Sequence, residues 1–140
     1  MNTYVLDTSV VLQWIHQENE LHPEQARKIF KDLEYGKINI IIPNLLLVEL
    51  LNALLIGKKT SIEEANLVVK RIFESTLTIV EVTLPILLQT TILMRKYNLT
   101  SYDAYFLALA QYEGCKLISD DQKAHGKITD GSVIMLKDYF

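Results

Sequence analysis

Residues 3–11 read TYVLDTSVV, and this stretch decides the fold. The apolar run at residues 4–6 predicts a short buried strand that ends at Asp7, and the residues from Ser9 onward predict a helix. Either Asp7 or Thr8 would then stand near the N-cap of that helix. A carboxylate between two apolar segments is costly in a core unless something compensates its charge. The junction therefore predicts a strand-to-helix turn and a candidate functional residue together.

The rest of the chain repeats this alternation of strands and helices. Further strands are predicted at residues 38–42, 77–82, 116–119 and 132–136, and further helices at residues 22–36, 45–56, 61–75, 84–97 and 101–114. Ser61 and Ser101 are the expected N-caps of two of these helices. Such alternation is typical of an α/β fold with a central parallel sheet of about five strands and helices on both faces.

Length and composition narrow the class of protein. A chain of 140 residues predicts a single domain over residues 1–140, and 49% apolar residues suffice for a sizeable core. The net charge of −3 argues against a broad basic face for coating nucleic acid. Cys115 is the only cysteine, so no internal disulfide or cysteine-based zinc cluster is possible. With no recognisable signal peptide or membrane span, we expect a cytoplasmic protein that does not contact the membrane.

Acidic residues far apart in the sequence are predicted to meet at one edge of the sheet. Asp7 ends the first strand, and Glu49 lies about one turn into the helix after the second strand. Asp103 is in the first turn of the helix that feeds the fourth strand, and Asp120 and Asp121 directly follow that strand. Because the carboxyl ends of parallel strands share one edge, these groups should lie on the rim where α/β folds form their sites.

Such a cluster of like charges needs neutralisation. Four carboxylates about 6 Å apart would repel one another by on the order of 15 kcal/mol at an effective dielectric of about 20, before salt screening. A whole domain is stable by only about 5–15 kcal/mol. The groups therefore diverge into water, take up protons or hold a divalent cation. A ligand set made only of oxygen selects Mg²⁺ or Mn²⁺.

Each of these residues alone also has a purely structural interpretation. Asp7 could be an N-cap, Asp103 could complement a helix N-terminus, and Glu49 could belong to a solvated helix face. Asp120 and Asp121 could form a turn. It is the constellation, rather than any one member, that indicates a cation site.

The same residues resemble a known protein family. The segments VLDTSVV, VELLNAL, SYDAYFLALA and LISDDQK are similar, in order and spacing, to the four acidic motifs of PIN domains, and especially to those of stand-alone VapC-type toxin ribonucleases. The resemblance covers essentially the whole chain. It implies a three-layer αβα fold with strand order 3-2-1-4-5 and a homodimer. It also implies a Mg²⁺- or Mn²⁺-dependent endoribonuclease that forms a toxin–antitoxin pair.

The resemblance assigns roles to individual residues. It implies that the catalytic and metal-binding residues are Asp7, Glu49, Asp103 and Asp121. Ser9 matches the small hydroxyl residue two positions after the first acid, and Ser119 takes the threonine position of the Thr-x-Asp motif. Asp120 is an extra carboxylate in the variable position, so the fourth ligand stays open between Asp120 and Asp121.

Other classes fit these motifs less well. A haloacid-dehalogenase-type phosphatase needs a second Asp two residues after the first, where this chain has Ser9, and a receiver domain needs an acidic pair near Asp7. Glycine-rich nucleotide-binding fingerprints are absent. The remaining alternative is a non-catalytic PIN-like module that binds RNA or a protein. Loss of an acid would favour that alternative, and all four acids are present.

The expected partners are an RNA substrate, a second copy of the chain and an antitoxin protein. Ten of the twelve residues in LLLVELLNALLI, residues 45–56, are apolar, whereas a surface helix normally buries a single stripe. This helix is therefore predicted to serve an interface as well as the core. The alternative is that the helix at residues 84–97 covers its outer face.

Overall fold

A parallel five-stranded sheet forms the centre of the computed structural model, which describes residues 1–15 and 22–140. Its strand order is β3-β2-β1-β4-β5. The strands are β1 (Asn2–Leu6), β2 (Ile38–Pro43), β3 (Thr78–Val80), β4 (Lys116–Ser119) and β5 (Val133–Met135). The parallel pairing and the order 3-2-1-4-5 confirm the predicted fold.

Helices connect these strands. In the described ranges they are α1 (Thr8–Ile15), α2 (Pro23–Glu34), α3 (Asn44–Asn52), α4 (Ile62–Glu74), α5 (Leu84–Tyr97), α6 (Ser101–Tyr112) and α7 (Gln122–His125). A π-helical turn continues α3, and a 3₁₀ turn follows β5. Within the described residues, every helix is too short or too polar to cross a bilayer.

The core lies between the sheet and its two helical layers. Because crossovers between parallel strands are right-handed, the strand order requires α1 to α4 on one face of the sheet and α5 and α6 on the other. Helix α6 packs across β1, β2 and β4, and residues 104–110 are buried without exception. A helix enclosed in this way is apolar around most of its circumference, which explains the composition of SYDAYFLALA.

The observed helix ends agree with most of the predicted ones and correct one of them. The Ser61 hydroxyl accepts the N–H of Glu64 at 3.2 Å and caps α4, as expected. Helix α6 is capped by Thr100 rather than by Ser101, since the Thr100 hydroxyl accepts the N–H of Asp103 at 3.2 Å. The prediction of Ser101 as the cap was therefore wrong by one residue. Helix α7 was not predicted, because four residues are too few to show a helical period.

Candidate metal centre

Asp7 lies at the carboxyl edge of the sheet, between β1 and α1, and is only 5% exposed. Its Oδ2 accepts hydrogen bonds from the N–H of Ser9 at 3.1 Å and from the Ser9 hydroxyl at 2.5 Å. Burial raises the pKa of Asp7, because desolvation disfavours the charged form, while the bonds from Ser9 act in the opposite direction. Asp7 is thus a helix cap and a buried acid at once.

Glu49 faces the same edge from α3. Its Oε2 accepts a hydrogen bond from the Thr8 hydroxyl at 3.2 Å. Its Oε1 is buried and has no hydrogen-bond partner among the described residues. Burial, followed by the charge of Asp7, raises the pKa of Glu49 to about 7. A buried oxygen without a donor is uncommon in native proteins and indicates a missing proton, water or cation.

Asp103 approaches from the first turn of α6. The Thr100 hydroxyl donates to its Oδ2 at 3.0 Å and orients the carboxylate. One ligand atom each from Asp7, Asp103 and His125 lie within 4.8 Å of one another. Glu49 is close enough to Asp7 and Asp103 for both charges to raise its pKa. The structure therefore brings together three of the four predicted acids.

The fourth predicted acid, Asp121, has a second use. Its Oδ1 accepts the N–H of Ala124 at 3.0 Å and caps α7. Asp121 does not belong to the 4.8 Å group found among the described residues, and any ligand role would fall to its Oδ2. Both oxygens of Asp120 are engaged, one by the Gln13 amide at 2.6 Å and the other by Nδ1 of His22 at 2.8 Å.

The two supporting serines join separate elements at this rim. The Ser9 hydroxyl donates to Asp7 and accepts the backbone N–H of Asp120 at 3.0 Å, which ties the β1–α1 junction to the end of β4. The Ser119 hydroxyl accepts the N–H of Asp121 at 3.0 Å. Both serines therefore hold backbone and acids in place.

His125 is the residue that sequence reasoning missed. It is fully buried in α7 and lies next to Asp7 and Asp103. The only signal in the sequence was its position four residues after Asp121, which would place both on one helical face if a helix formed there.

The arrangement fits a divalent cation. Carboxylate oxygens are the ligands that Mg²⁺ and Mn²⁺ prefer, and the lone Oε1 of Glu49 needs a positive partner when the carboxylate is ionised. A groove of about 670 Å³ opens beside Glu49 and Asp103, so a substrate can reach these two acids. It is lined by Thr8, Val48, Glu49, Asn52, Ala53, Thr100, Tyr102 and Asp103.

Comparison with known proteins places these features in a family. The family model of the PIN domain matches residues 4–128. No curated protein matches the sequence. Among solved structures, a toxin–antitoxin complex from Klebsiella pneumoniae aligns with a TM-score of 0.70 and 21% identity, over 95% of this chain and 97% of that one.

Two further solved structures share the fold at low identity. VapBC2 from Rickettsia felis, bound to a DNA fragment from its promoter, gives a TM-score of 0.70 and 20% identity, over 95% of this chain and 98% of that one. VapC20 from Mycobacterium tuberculosis is described as a toxin that cleaves the sarcin–ricin loop. It aligns with a TM-score of 0.67 and 13% identity, over 83% of this chain and 86% of that one.

Proposed function

Because the chain belongs to the PIN domain family, we propose that it is a metal-dependent endoribonuclease and the toxin of a toxin–antitoxin pair. The observation that carries this proposal is the buried Oε1 of Glu49, which has no described partner and lies near Asp7 and Asp103. A cation would satisfy this oxygen and relieve the repulsion among the three acids. The sarcin–ricin loop cleavage ascribed to VapC20 supports RNA as the substrate.

The ion we propose is Mg²⁺ or Mn²⁺. Asp7, Glu49 and Asp103 would hold it, with Asp121 as the fourth acid of the site. A bound divalent ion lowers the pKa of a water molecule and polarises a phosphoryl oxygen, which is the chemistry that phosphodiester hydrolysis requires.

The chain's own contribution is to hold the acids in fixed orientations. A neighbouring hydroxyl group binds one carboxylate oxygen of each of the three acids, and these donors are Ser9 for Asp7, Thr8 for Glu49 and Thr100 for Asp103. Each hydroxyl leaves the second oxygen of its acid for another ligand. Such outer partners commonly decide the geometry and affinity of a metal site.

The groove next to the acids suits an unpaired strand of RNA. Tyr102, which is 53% exposed, lies on its wall directly before Asp103. An exposed aromatic ring can stack on an unpaired base, and such stacking contributes about 1–3 kcal/mol per base. Lys123 is exposed in α7, two residues after Asp121, and can meet a backbone phosphate. These features favour single-stranded or loop RNA.

Cleavage of purified RNA by the isolated protein tests this function. We expect internal cuts that need Mg²⁺ or Mn²⁺, leave 5′-phosphate and 3′-hydroxyl ends, and disappear in Asp7→Asn. Asp130→Asn, which changes an acid outside the described cluster, is the matched control and should retain activity. Products that end in a 2′,3′-cyclic phosphate would indicate a metal-independent mechanism and contradict the proposal.

The alternative function is a non-catalytic module that binds RNA or a protein. The same assay separates it from the nuclease, provided that binding is measured on the same RNA. RNA binding without cleavage in the presence of Mn²⁺ would favour the module. Glu49 and Asp103 in the lining of the groove give such a module no evident advantage for RNA, since carboxylates repel phosphate.

The proposed protein partners are a second copy of the chain and an antitoxin. We propose a cytoplasmic location for the chain and both partners. An apolar groove of about 340 Å³ runs between α1, α2 and α4, with Trp14, Phe30 and Val68 in its lining and Arg71 beside them. An amphipathic antitoxin segment with an acidic residue would match this lining. The toxin–antitoxin complexes among the solved structures support this partner.

A further inference from the structure

His125 makes two hydrogen bonds between elements that are distant in the sequence. Its Nδ1 lies 2.8 Å from the Ser119 hydroxyl at the end of β4. Its Nε2 lies 3.0 Å from the backbone carbonyl oxygen of Asp103 in the first turn of α6. The ring thus spans the gap between the strand that leads to Asp121 and the helix that carries Asp103.

The partners determine where the protons lie. A carbonyl oxygen can only accept, so Nε2 of His125 must carry a hydrogen and donate it to Asp103. In the neutral ring Nδ1 then has a lone pair and accepts from the Ser119 hydroxyl. The Ser119 oxygen in turn accepts the N–H of Asp121 at 3.0 Å. Whichever of the two donates in the Ser119–His125 bond, hydrogen bonds connect Asp121, Ser119, His125 and Asp103 without a break.

This pattern decides between two roles for the ring. The proximity of His125 to the carboxylates of Asp7 and Asp103 would allow it to be a metal ligand. A ligand nitrogen needs a free lone pair, and both ring nitrogens are already engaged. Turning the ring towards a cation would leave a buried hydroxyl or carbonyl group without its partner, which is unfavourable.

We propose that His125 is a positioning residue that sets the separation between Asp103 and Asp121 for metal binding. The inference rests on the proposed function and adds to it a residue that holds the site without touching the ion. Asp103 and Asp121 belong to elements joined only through the length of α6 and β4, so local structure does not set their spacing. Mg²⁺ tolerates little departure from octahedral geometry, and this makes the spacing important.

Two substitutions separate the hydrogen bonds of His125 from its volume. His125→Phe fills a similar space and removes both bonds, whereas His125→Gln can still donate to the carbonyl of Asp103. By calorimetric titration we expect His125→Phe to weaken Mn²⁺ binding by at least about tenfold, as losses of outer partners commonly do. We expect His125→Gln to recover most of the affinity.

Tyr139→Phe is the matched control. It removes a buried hydrogen bond of 2.7 Å from the Tyr139 hydroxyl to Asp32, beside the helix end that leads into β2 and away from the metal centre. We expect this variant to melt at a lower temperature and to bind Mn²⁺ as the wild type does. A general loss of stability would therefore not explain a weaker Mn²⁺ affinity in His125→Phe.

The ring itself gives a readout in the wild-type protein, even if His125→Phe does not fold. Nitrogen-15 spectra of the histidine side chains should show His125 with a protonated Nε2, because that nitrogen donates to a carbonyl oxygen. Addition of Mg²⁺ should leave that pattern unchanged. Loss of the Nε2 proton on adding Mg²⁺ would make His125 a ligand and overturn the proposal.

A double variant tests whether Ser119 and His125 act as one unit. If they do, Ser119→Ala combined with His125→Phe weakens Mn²⁺ binding by much less than the product of the two single effects. Effects that multiply, or a His125→Phe variant that binds like the wild type, would overturn the inference and leave the nuclease proposal intact. A wild type that binds no Mn²⁺ would overturn the proposed function, and the inference with it.

Discussion

Asp7 combines a local structural role with the functional role proposed for it. Both hydrogen bonds from Ser9 end on Oδ2, so the cap of α1 occupies one carboxylate oxygen and leaves Oδ1 for another ligand. A cap of this kind stabilises a protein by about 1 kcal/mol. Burial works against the charge of the same group and raises its pKa. The two effects can be separated by a substitution that keeps the cap and removes the charge.

Replacement of Asp7 by Asn makes that separation. The amide oxygen can accept both bonds from Ser9, so we expect the metal-free melting temperature to stay equal or rise, while calorimetry shows Mn²⁺ binding largely lost. Asp32→Asn is the control, because hydrogen bonds from Lys28 and then Tyr139 hold the pKa of Asp32 below its usual value. That variant should melt lower and bind Mn²⁺ normally. An equal loss of stability in both variants would contradict the interpretation of Asp7.

Glu49 predicts an unusual pH dependence for the metal-free protein. Its pKa rises from an ordinary 4.5 to about 7 on folding, so the folded state holds this proton more tightly than the unfolded chain does. Linkage then requires the free energy of unfolding to fall as pH rises from about 4.5 to about 7, with the loss complete above that range. Urea denaturation in EDTA between pH 5 and 8 should show this slope.

Two comparisons measure the part of that slope that comes from Glu49. Glu49→Gln should reduce it and leave the part that comes from Asp7, whose pKa burial also raises, and saturating Mg²⁺ should remove it from the wild type because the cation favours the ionised form. The contribution of Asp32 to the free energy of unfolding has the opposite pH dependence. Its pKa is lowered in the folded state, so this stability is lost only below about pH 4. It therefore does not contribute between pH 5 and 8. An identical slope in Glu49→Gln would show that other groups cause it.

At the scale of secondary-structure elements, the sequence predicted those strands and helices that have a clear periodic pattern of apolar residues. The β-branched run at residues 38–42 and the apolar stretch at residues 101–114 became β2 and α6 within a few residues. From those elements alone, the parallel topology predicts that Asp7, Glu49 and Asp103 meet at one edge. The periodicity of strands and helices in the sequence therefore predicts most of the fold and the approximate location of the acids.

What the sequence did not predict depends on contacts between distant elements. Helix α7 has four residues, and it is held by the cap from Asp121 and by the bond from His125 to α6. Neither contact has a local pattern in the sequence, so neither the helix nor the position of His125 beside Asp7 and Asp103 was predicted. The orientation of Asp121 follows from the same cap. Sequence position put this acid on the rim, but only tertiary structure shows where its oxygens are used.

Helix α6 carries two exposed tyrosines that allow a controlled test of RNA binding. Tyr102 lies in the groove at the start of the helix, whereas Tyr112, which is 66% exposed, lies at its other end. We expect Tyr102→Ala to raise the KM for single-stranded RNA about tenfold with little change in kcat, because one stacking contact is lost. Tyr112→Ala should leave both constants unchanged. Tyr102→Trp should retain activity, and equal effects at the two tyrosines would contradict a base-stacking site.

The whole molecule has too little positive charge to bind RNA by electrostatics alone. Its formal net charge is −3, and the groove itself contains Glu49 and Asp103. Each phosphate contact made by a Lys or Arg adds to the salt dependence of binding. The RNA binding proposed above would therefore rely on a bound cation, on stacking and on a few local positive side chains such as Lys123.

Among the described residues, apolar side chains remain exposed on several helices, and those on α3 and α5 bear on the predicted interface. On α3 and the π-helical turn they include Val48 and Ile56, which are 67% and 72% exposed. On α5 they are Leu84, Leu87, Leu88 and Ile92. Helix α5 packs on α6, so the alternative that it covers the outer face of α3 is not borne out at Val48 and Ile56. Patches of this kind mark surfaces that bind another protein.

We expect the exposed face of the π-helical turn around Ile56, which does not line the groove beside Glu49 and Asp103, to form a twofold interface in which both chains use the same patch. Light scattering at low micromolar concentration should then give about 32 kDa for the wild type, twice the 16.1 kDa of the chain. Ile56→Glu should shift the mass to that of the monomer, because the charge would be buried without a partner. Leu55→Glu should do the same, although Leu55 is only 38% exposed and this variant can also weaken the core.

Tyr35→Glu, at a residue that is 73% exposed beyond the end of α2, is the matched control and should leave the dimer intact. A wild type that is monomeric at 16.1 kDa, with antitoxin binding unchanged in Ile56→Glu, would show that this apolar face is not an interface.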